Sequence, residues 1–504
     1  MSFTNFCCRS GGNNMNGGGQ SDNGEPGTSA KYTSTNGNWN GTSIFTPTDS
    51  STPASSISVG DWACACVDGA TTPSYYARVT AVAAGVNGAI TLSTTRFMGT
   101  APTSSASART IRVGGAWLGP NAAVGFPFGM MSAALMDGTN LTPRVNFKND
   151  QTYAVTTTTL LVTASNLYVR YEGYTTTFGD GGQANLDGGT TGASYILINA
   201  SNAGAENEFI NFTFSNNGAT GSADGVSATT GGNAIRLRFE HCVFHDLRGS
   251  GFSSVSGTGG FHLFCECEFY NCNQSNSATK GGADIGGLVS VTWFKRTIFH
   301  DNSGSNTAGI NAVCAVSCEG CIFDTNGGIG IRVNTNGGGV YLSQCDFYAN
   351  ASDGIGGPLA GGGTRVFAEN CNFVDNGGYG VNLAAGATWQ GCLRNCGFGS
   401  GTMANASGNT NAPTSGTLEN ISPITYGANL TPWVDPANGD FRLNSTATAG
   451  ASARGAGRGS YTQTATSYAG TVSYPDVGQQ HQDAGGGTGG VNRSLLPSGV
   501  SALG

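Results

Sequence analysis

The chain has 504 residues, a net charge of −8 and only 10% charged residues, against roughly 25% in ordinary soluble domains. The 82 glycines and the abundant Ser, Thr and Asn argue against long helices, and a hydrophobic content of 38% argues against a disordered chain. The sequence lacks the cluster of Lys and Arg residues that would indicate nucleic-acid binding. It also lacks an apolar run of the ~18 residues that a membrane span needs. The composition predicts many short strands joined by Gly- and Asn-rich turns.

Residues 1–30 are rich in Gly, Asn and Ser, which predicts a segment that is mobile or ordered only by a partner. Adjacent Cys7 and Cys8 lie in it, and we interpret them either as a link to a neighbouring subunit or as unused thiols. The start "MSFTNFCCRSGG" lacks a basic stretch followed by an apolar one. It does not fit a secretory signal peptide, so we expect synthesis in a cytoplasm without a leader.

Residues 31–120 predict a small β-rich domain, with strands in "DWACACVDG", "YYARVTAV" and "GAITLST" and no catalytic signature. Residues 121–142, with "NAAVGFPFGMMSAALMDG", predict a short capping helix. Such a helix would shield the open edge of the strands that follow.

An internal repeat occupies residues 143–400, and its clearest mark is Cys-x-Phe. The Cys position is held by Cys242, Cys267, Cys321, Cys345, Cys371 and Cys396. The Phe position is held by Phe244, Phe269, Phe299, Phe323, Phe347, Phe373 and Phe398. Starting from Phe214, which also fits, the steps are 30, 25, 30, 24, 24, 26 and 25 residues. A period of this size indicates a solenoid.

Each repeat has the chemistry of strands and turns. In "VYLSQCDF" the residues alternate, so that Cys and Phe share one face of a strand. An Asn follows three residues after the Phe, at Asn217, Asn302, Asn326, Asn350 and Asn376. A short apolar strand such as "GIGIRV" comes next, and no helix separates the units. We therefore predict an all-β parallel β-helix of about 25 residues per coil, in which Cys stacks on Cys, Phe on Phe and Asn on Asn at ~4.8 Å.

The repeat also explains most of the cysteines. Residues stacked along the axis on an inward face are best interpreted as small buried hydrophobes. Metal binding is the alternative, and Cys318-x-x-Cys321 has a suitable spacing, but no second pair or His partner supports it. We expect neither a metal nor a cofactor.

Beyond residue 400 the pattern loosens. Residues 401–485, with "NGDFRLNSTATAGASARGAG", predict irregular late coils, and residues 486–504 are a Gly-linked tail. The tail is either a docking peptide or a frayed end.

The "CxF…N.G.GI" coil resembles right-handed parallel β-helix proteins of the pectate-lyase-like type, and the ending "DFRL … YPDVG" is similar to the way many such chains close. The resemblance implies the fold but no single activity, because such proteins include polysaccharide lyases and hydrolases, phage tailspikes and structural virion proteins. A leaderless chain with a small β domain ahead of the β-helix looks like tailspikes and virion fibres, which are usually trimers attached to the particle by the N-terminal part.

A polysaccharide-cleaving β-helix needs paired carboxylates on its outer face, or an acidic Ca²⁺ site beside a base. The repeated "FHD" motif offers His245, Asp246, His300 and Asp301 as catalytic candidates. Two coils separate the aspartates, or ~10 Å, near the upper end for an inverting pair at ~6.5–9.5 Å. The simpler interpretation is that Asp246, Asn271 and Asp301 cap equivalent turns. Asp284, Glu319, Asp324 and Glu369 show no better grouping in the sequence.

We therefore expect a bacteriophage virion protein, either a tailspike or tail fibre or a capsid-attached fibre or decoration protein. Its expected partners are two further copies in a homotrimer, other virion proteins through the N-terminal region, and host-surface polysaccharide. The alternatives are a polysaccharide lyase or glycoside hydrolase and a leaderless bacterial surface adhesin. Clustered surface acids along a sugar-length groove would favour the enzyme.

Overall fold

The structure is a computed structural model of the chain. It describes residues 3–473 except 15, 21, 23, 41–42, 67–72, 102–108, 120–141, 156–158, 161–167, 190–195, 201–205, 217–222, 231–235, 256–259, 278–279, 287–290, 334–338, 358–364, 384–389, 401–409, 412–416, 455–459 and 464–469. Two compact units are present and are described separately. Unit 1 comprises Met1–Ser215 and Ala228–Arg238, and unit 2 comprises Asn216–Ser227 and Phe239–Gly504.

Unit 1 contains a seven-stranded antiparallel sheet within the segment predicted as a small β domain. Its strands are Tyr32–Ser34, Gly37–Trp39, Ile44–Pro47, Trp62–Cys66, Pro73–Val82, Ile90–Gly99 and Thr110–Val113, and a 3-10 turn spans Pro53–Ser55. One face is buried around Trp39, Tyr75 and Val79. Alternation of buried and exposed residues along the short strands fits a sheet with one solvated face.

Unit 1 also contains parallel strands, which belong to three sheets. Sheet 1 contains Phe3–Cys8, Thr142–Lys148, Tyr168–Tyr174 and Glu206–Ile210; sheet 2 contains Thr152–Ala154, Ala184–Asp187 and Phe212–Ser215; sheet 3 contains Thr159–Leu160 and Ile196–Ala200. Two further strands, Val226–Thr230 and Arg236–Glu240, contain residues of both units.

The N-terminal strand corrects the expectation of a mobile segment. Phe3–Cys8 pairs in parallel with Thr142–Lys148, six residues in register. Phe6 anchors it, since its ring stacks on Trp117 at 4.9 Å and meets Trp62 edge-on at 4.8 Å. The β-helix therefore begins at residue 3, with the antiparallel sheet inserted after its first strand, and not at residue 143.

Unit 2 repeats the three-sheet coil. Sheet 1 contains Phe261–Cys265, Val291–Lys295, Val316–Glu319, Gly339–Ser343, Arg365–Glu369, Gln390–Arg394 and Thr417–Ile421. Sheet 2 contains Val243–His245, Glu268–Tyr270, Ile298–His300, Ile322–Asp324, Asp346–Tyr348, Asn372–Val374, Gly397–Ser400 and Ile424–Ala428. Sheet 3 contains Phe252–Val255, Gly281–Ile285, Ala308–Ala312, Ile329–Val333, Ile355–Gly356, Val381–Asn382 and Thr410–Asn411. Every strand pairs in parallel with its equivalent one coil later, for example Phe323 with Phe347. The fold is a parallel β-helix.

The interior of unit 2 is built from the repeated residues. The seven phenylalanines from Phe244 to Phe398 stack with ring centroids 4.4 to 5.6 Å apart. The six cysteines of the repeat are fully buried beside them, and their thiols lie near backbone carbonyls, as Cys321 Sγ does at 3.3 Å from the Phe294 oxygen. Burial raises the pKa of thiols such as Cys345 well above its usual value, so the cysteines behave as small hydrophobes with weak S–H donors.

Asparagines form a second buried column at the turn between sheets 2 and 3. The side-chain amide of Asn302 donates to Asn326 Oδ1, that of Asn326 to Asn350, and that of Asn350 to Asn376, each at 2.8 Å. Each amide also donates to a backbone carbonyl of the preceding coil, as Asn350 does to Phe323 at 3.0 Å. Asn217 lies outside the described residues, as do almost all of the expected capping segment and the whole of the C-terminal tail.

Two turn positions per coil adopt the left-handed backbone conformation, and among the described corners glycine stands at one, Gly320. The position between sheets 1 and 2 is held by Asn211, His241, Glu266, Arg296, Gln344, Asn370, Asn395 and Ser422. The position after sheet 2 is held by Asn216, Asp246, Asn271, Asp301, Thr325, Ala349 and Asp375. Non-Gly residues rarely adopt positive φ, and Asn and Asp tolerate it best. Asn or Asp accordingly occupies eight of these fifteen non-Gly corners.

The C-terminal region covers the outer face of sheet 2. After Ile424–Ala428 the chain forms a hairpin from Trp433–Asp435 and Asp440–Leu443, with a 3-10 turn at Pro436–Asn438 and a short helix at Gly450–Ala453. Trp433 and Phe441 pack against Tyr348, and the same cluster buries Ile298 and Ile322. A last hairpin joins Ser460–Gln463 and Gly470–Ser473. No helix in the described part of the chain is long and apolar enough to cross a membrane.

Replacing Asn350 by Ala should lower the free energy of unfolding by about 2–4 kcal/mol, because it removes a buried amide that donates twice and leaves the Asn326 amide without one of its two acceptors. Denaturant unfolding of the wild type and the variant measures this change. Asn438→Ala is the control, since Asn438 is exposed and bonds only locally to Asp435. Equal effects of the two substitutions would mean that the column does not stabilise the coils.

Candidate functional site

The outer face of sheet 1 in unit 2 carries a column of aromatic side chains. Strand pairing aligns Trp293, Ser317, Tyr341 and Phe367 on successive coils. Trp293 is 40% exposed and Tyr341 is 44% exposed, which is unusual for such large rings. They lie two coils apart, or ~10 Å along the axis, with the small Ser317 between them.

A polar column runs beside the aromatic one, two residues further along each strand. It consists, in register, of Lys295, Glu319, Ser343, Glu369 and Arg394. Lys295 Nζ lies 3.1 Å from Glu319 Oε2 and 5.5 Å from the centre of the Trp293 ring. The Arg394 guanidinium similarly lies 5.4 Å from the centre of the Phe367 ring. Each of these two cations thus lies over an aromatic ring, and Lys295 also pairs with an acid.

The two columns line a groove of about 440 Å³. Its walls include Trp293, Lys295, Ser317, Glu319, Tyr341, Ser343, Phe367 and Glu369. That volume lies in the range of small-molecule sites. Flat aromatic rings beside hydroxyl and carboxylate oxygens match the two surfaces of a pyranose ring, which has an apolar C–H face and a rim of hydroxyls. The groove is the candidate functional site.

The "FHD" residues predicted from the sequence are brought together, but on sheet 2. The rings of His245, Tyr270 and His300 stack with centroids 4.9 and 5.1 Å apart. Each imidazole bonds through Nδ1 to the Asp that follows it, at 2.7 Å for Asp246 and 2.8 Å for Asp301. His300 Nε2 also lies 2.8 Å from Glu268 Oε1.

Both aspartates are held in the turns. Asp246 and Asp301 have φ values of 55° and 48°, in the left-handed region. The Asn271 amide donates to Asp246, and the Thr325 hydroxyl donates to Asp301 at 2.8 Å. These contacts tie neighbouring coils together and favour the simpler of the two interpretations, in which the aspartates cap turns.

Sequence reasoning missed the grouping of Glu319 and Glu369. The two acids stand 50 residues apart in the sequence. The structure places them in one column with Ser343 between them. The signal was their position in the repeat, since each stands two residues before a Cys of the ladder, at Cys321 and Cys371. The aromatic residues share an offset in the same way, four residues before the Cys position.

The Cys318-x-x-Cys321 pair, which has a spacing suitable for metal binding, lies in the interior. Cys318 and Cys321 are both buried. Within the residues that the structure describes, no three His, Cys, Asp or Glu side chains are grouped so as to hold a metal ion.

The interpretation of Cys7 and Cys8 as a link between subunits is wrong for this structure. Both are fully buried in unit 1, and Cys7 Sγ lies 3.0 Å from the Tyr174 hydroxyl. Burial raises the pKa of the Cys7 thiol to about 12 and that of Cys8 well above its usual value. Since the thiolate is the reactive form, neither side chain is placed to form a bond with another subunit.

Native protein treated with a maleimide should take up at most two labels, on the half-buried Cys265 and Cys392, whereas unfolded protein should take up all 15. Intact mass measures the number of labels, and Cys265→Ser should remove one of them. Labelling of Cys7 or Cys8 in the native state, or a dimer that reductant dissolves, would contradict their burial.

No model of a known protein family matches the chain, and no curated protein matches it significantly. Among solved structures it is similar to the crystal structure of pectate lyase Pel9A, at 14% identity and a TM-score of 0.40, over 72% of this chain and 92% of that one. It is also similar to the catalytic domain of a GH87 α-1,3-glucanase in complex with tetrasaccharides, at 9% identity and a TM-score of 0.20, over 79% of this chain and 90% of that one.

Proposed function

We propose that the protein binds a polysaccharide along the outer face of sheet 1 in unit 2. The observation that carries the proposal is the pair of exposed rings, Trp293 and Tyr341, standing in register beside a column of polar side chains. An exposed aromatic surface of this kind usually marks a binding site, because solvating it is unfavourable.

The geometry fits an extended glycan that runs along the axis. One coil advances ~4.8 Å along the axis, which is of the same order as the length of one pyranose ring in an extended glycan. Trp293 and Tyr341 then each support the apolar face of a sugar, two sugars apart. The oxygens of Glu319, Ser343 and Glu369 are placed along the edge of the groove, where hydroxyl groups would meet them.

Trp293→Ala and Tyr341→Ala should each weaken polysaccharide binding roughly tenfold, because each removes about 1.4 kcal/mol of apolar contact. The affinity of the protein for a soluble polysaccharide is measured by retention, which is the slowing of the protein's migration in a native gel that contains that polysaccharide. Val434→Ala, at another exposed apolar residue, is the control and should leave retention unchanged. Unchanged retention of both groove variants, or no retention of wild type by any glycan in a broad panel, would rule the proposal out.

Cleavage is the second candidate activity, and one observation favours it. Glu319 and Glu369 are two coils apart, or ~10 Å, which is close to the separation of ~6.5–9.5 Å in inverting glycosidases. Lys295 Nζ lies 3.1 Å from Glu319 Oε2, so one of the two acids is already engaged in an ion pair. We place binding before cleavage. If the wild type shortened a polysaccharide that retains it in the gel and the Glu369→Gln variant did not, cleavage would become the better-supported activity.

The wider role that we propose is contact between a virion and its host, with the chain as a homotrimer. Its support is the resemblance of the coil pattern, and of the small β domain, to tailspikes and virion fibres. Molar mass by light scattering should give three times 51.0 kDa, and host-surface polysaccharide should be among the glycans that retain the protein. A monomer at all concentrations would remove the trimer and weaken the virion role, without affecting the groove.

A further inference from the structure

The groove carries a fixed order of charges along the axis. Its lining residues include one cation, Lys295, and two acids, Glu319 and Glu369, with the neutral Ser343 between the acids. Lys295 lies at one end, where Glu319 pairs with it. The stretch from Glu319 to Glu369 therefore carries two acids and no cation, and Arg394, whose guanidinium lies 5.4 Å from the centre of the Phe367 ring, is the cation at the other end.

We infer that the groove selects an uncharged polysaccharide and rejects polyuronates. This inference rests on the proposed function, since it names the class of glycan that the same groove would take. It concerns the side chains of the polar column and does not depend on which neutral sugar is bound.

The reason is the match between the coil spacing and the sugar spacing. A polyuronate carries a carboxylate on every sugar, so a chain lying along the axis would bring an anion to nearly every coil. At least two of these would face Glu319 and Glu369 within a few ångströms, and like charges at ~4 Å repel by roughly 1–4 kcal/mol at a protein surface. Lys295 and Arg394 stand at the two ends of this stretch, so that neither cation lies between the two acids, and Lys295 already has Glu319 as its partner.

A neutral sugar meets the same column favourably. Its hydroxyls donate to carboxylate oxygens, and hydrogen bonds to a charged acceptor are stronger than those between neutral groups. Ser343 is small and leaves room beside Tyr341 for the sugar that lies between the two acids.

The test compares retention of the wild type in native gels containing hydroxyethylcellulose, xylan or mannan with retention in gels containing polygalacturonate or alginate, each with and without calcium. We expect retention by at least one neutral glycan and at least tenfold weaker retention by both polyuronates. Added salt should narrow the difference, because it screens the repulsion.

The double variant Glu319→Gln/Glu369→Gln keeps the shape of the groove and removes both acids. In this variant the affinity for polyuronates, divided by the affinity for neutral glycans, should be at least tenfold higher than in the wild type. Glu206→Gln/Asp435→Asn changes the net charge equally at residues outside the groove and should leave the ratio unchanged. Should the double variant be poorly folded, Glu369→Gln alone and the salt series give the same comparison.

The outcomes separate the two claims. Polyuronate retention by the wild type that equals or exceeds neutral retention, with or without calcium, would overturn the inference and leave glycan binding in place. An unchanged ratio in the double variant would overturn it in the same way. Absence of retention by every glycan would remove the proposed function, and this inference with it.

Discussion

The structure of unit 2 depends on one constraint: every residue must fit a copy of its own position ~4.8 Å above and below it. Backbone hydrogen bonds impose this spacing, and the side chains that satisfy it best are those that bind their own kind. The Asn column shows this most directly, because each amide donates to the next and accepts from the one before. Phenylalanine does the same by ring stacking.

Because the inward positions are occupied in this way, the outward positions are free to differ from coil to coil. In unit 2 they place aromatic rings in one column and polar and charged side chains in the adjacent column, which makes a groove. In unit 1 the outer face of sheet 1 carries ion pairs instead, among them Arg170 with Glu172 at 3.0 Å and Arg238 with Glu208 at 3.1 Å. The same kind of strand thus carries a surface of ion pairs in unit 1 and a groove in unit 2.

The difference between inward and outward positions also explains which features could be predicted from the sequence. The repeat of Cys, Phe and Asn revealed the fold because identical residues recur at a fixed period. The groove stayed hidden, because its members, such as Trp293, Tyr341 and Phe367, share a position but not a residue type. The first strand stayed hidden for another reason: Phe3–Cys8 carries no copy of the motif, and its partner lies 139 residues away, from Phe3 to Thr142.

The turns add a consequence for how such a chain can change its length. Corners at residues such as Asn370 and Asp375 require a positive φ at a fixed place in each coil. Loss of a single residue from a strand would turn its inward side chains outward and misplace both corners. Loss or duplication of a whole coil, such as the 26 residues from Phe347 to Asn372, would instead join like to like. The steps of 24 to 30 residues show that the loops vary in length, whereas changes of length within the strands are expected only in whole coils. The groove would then lengthen or shorten by one coil at a time.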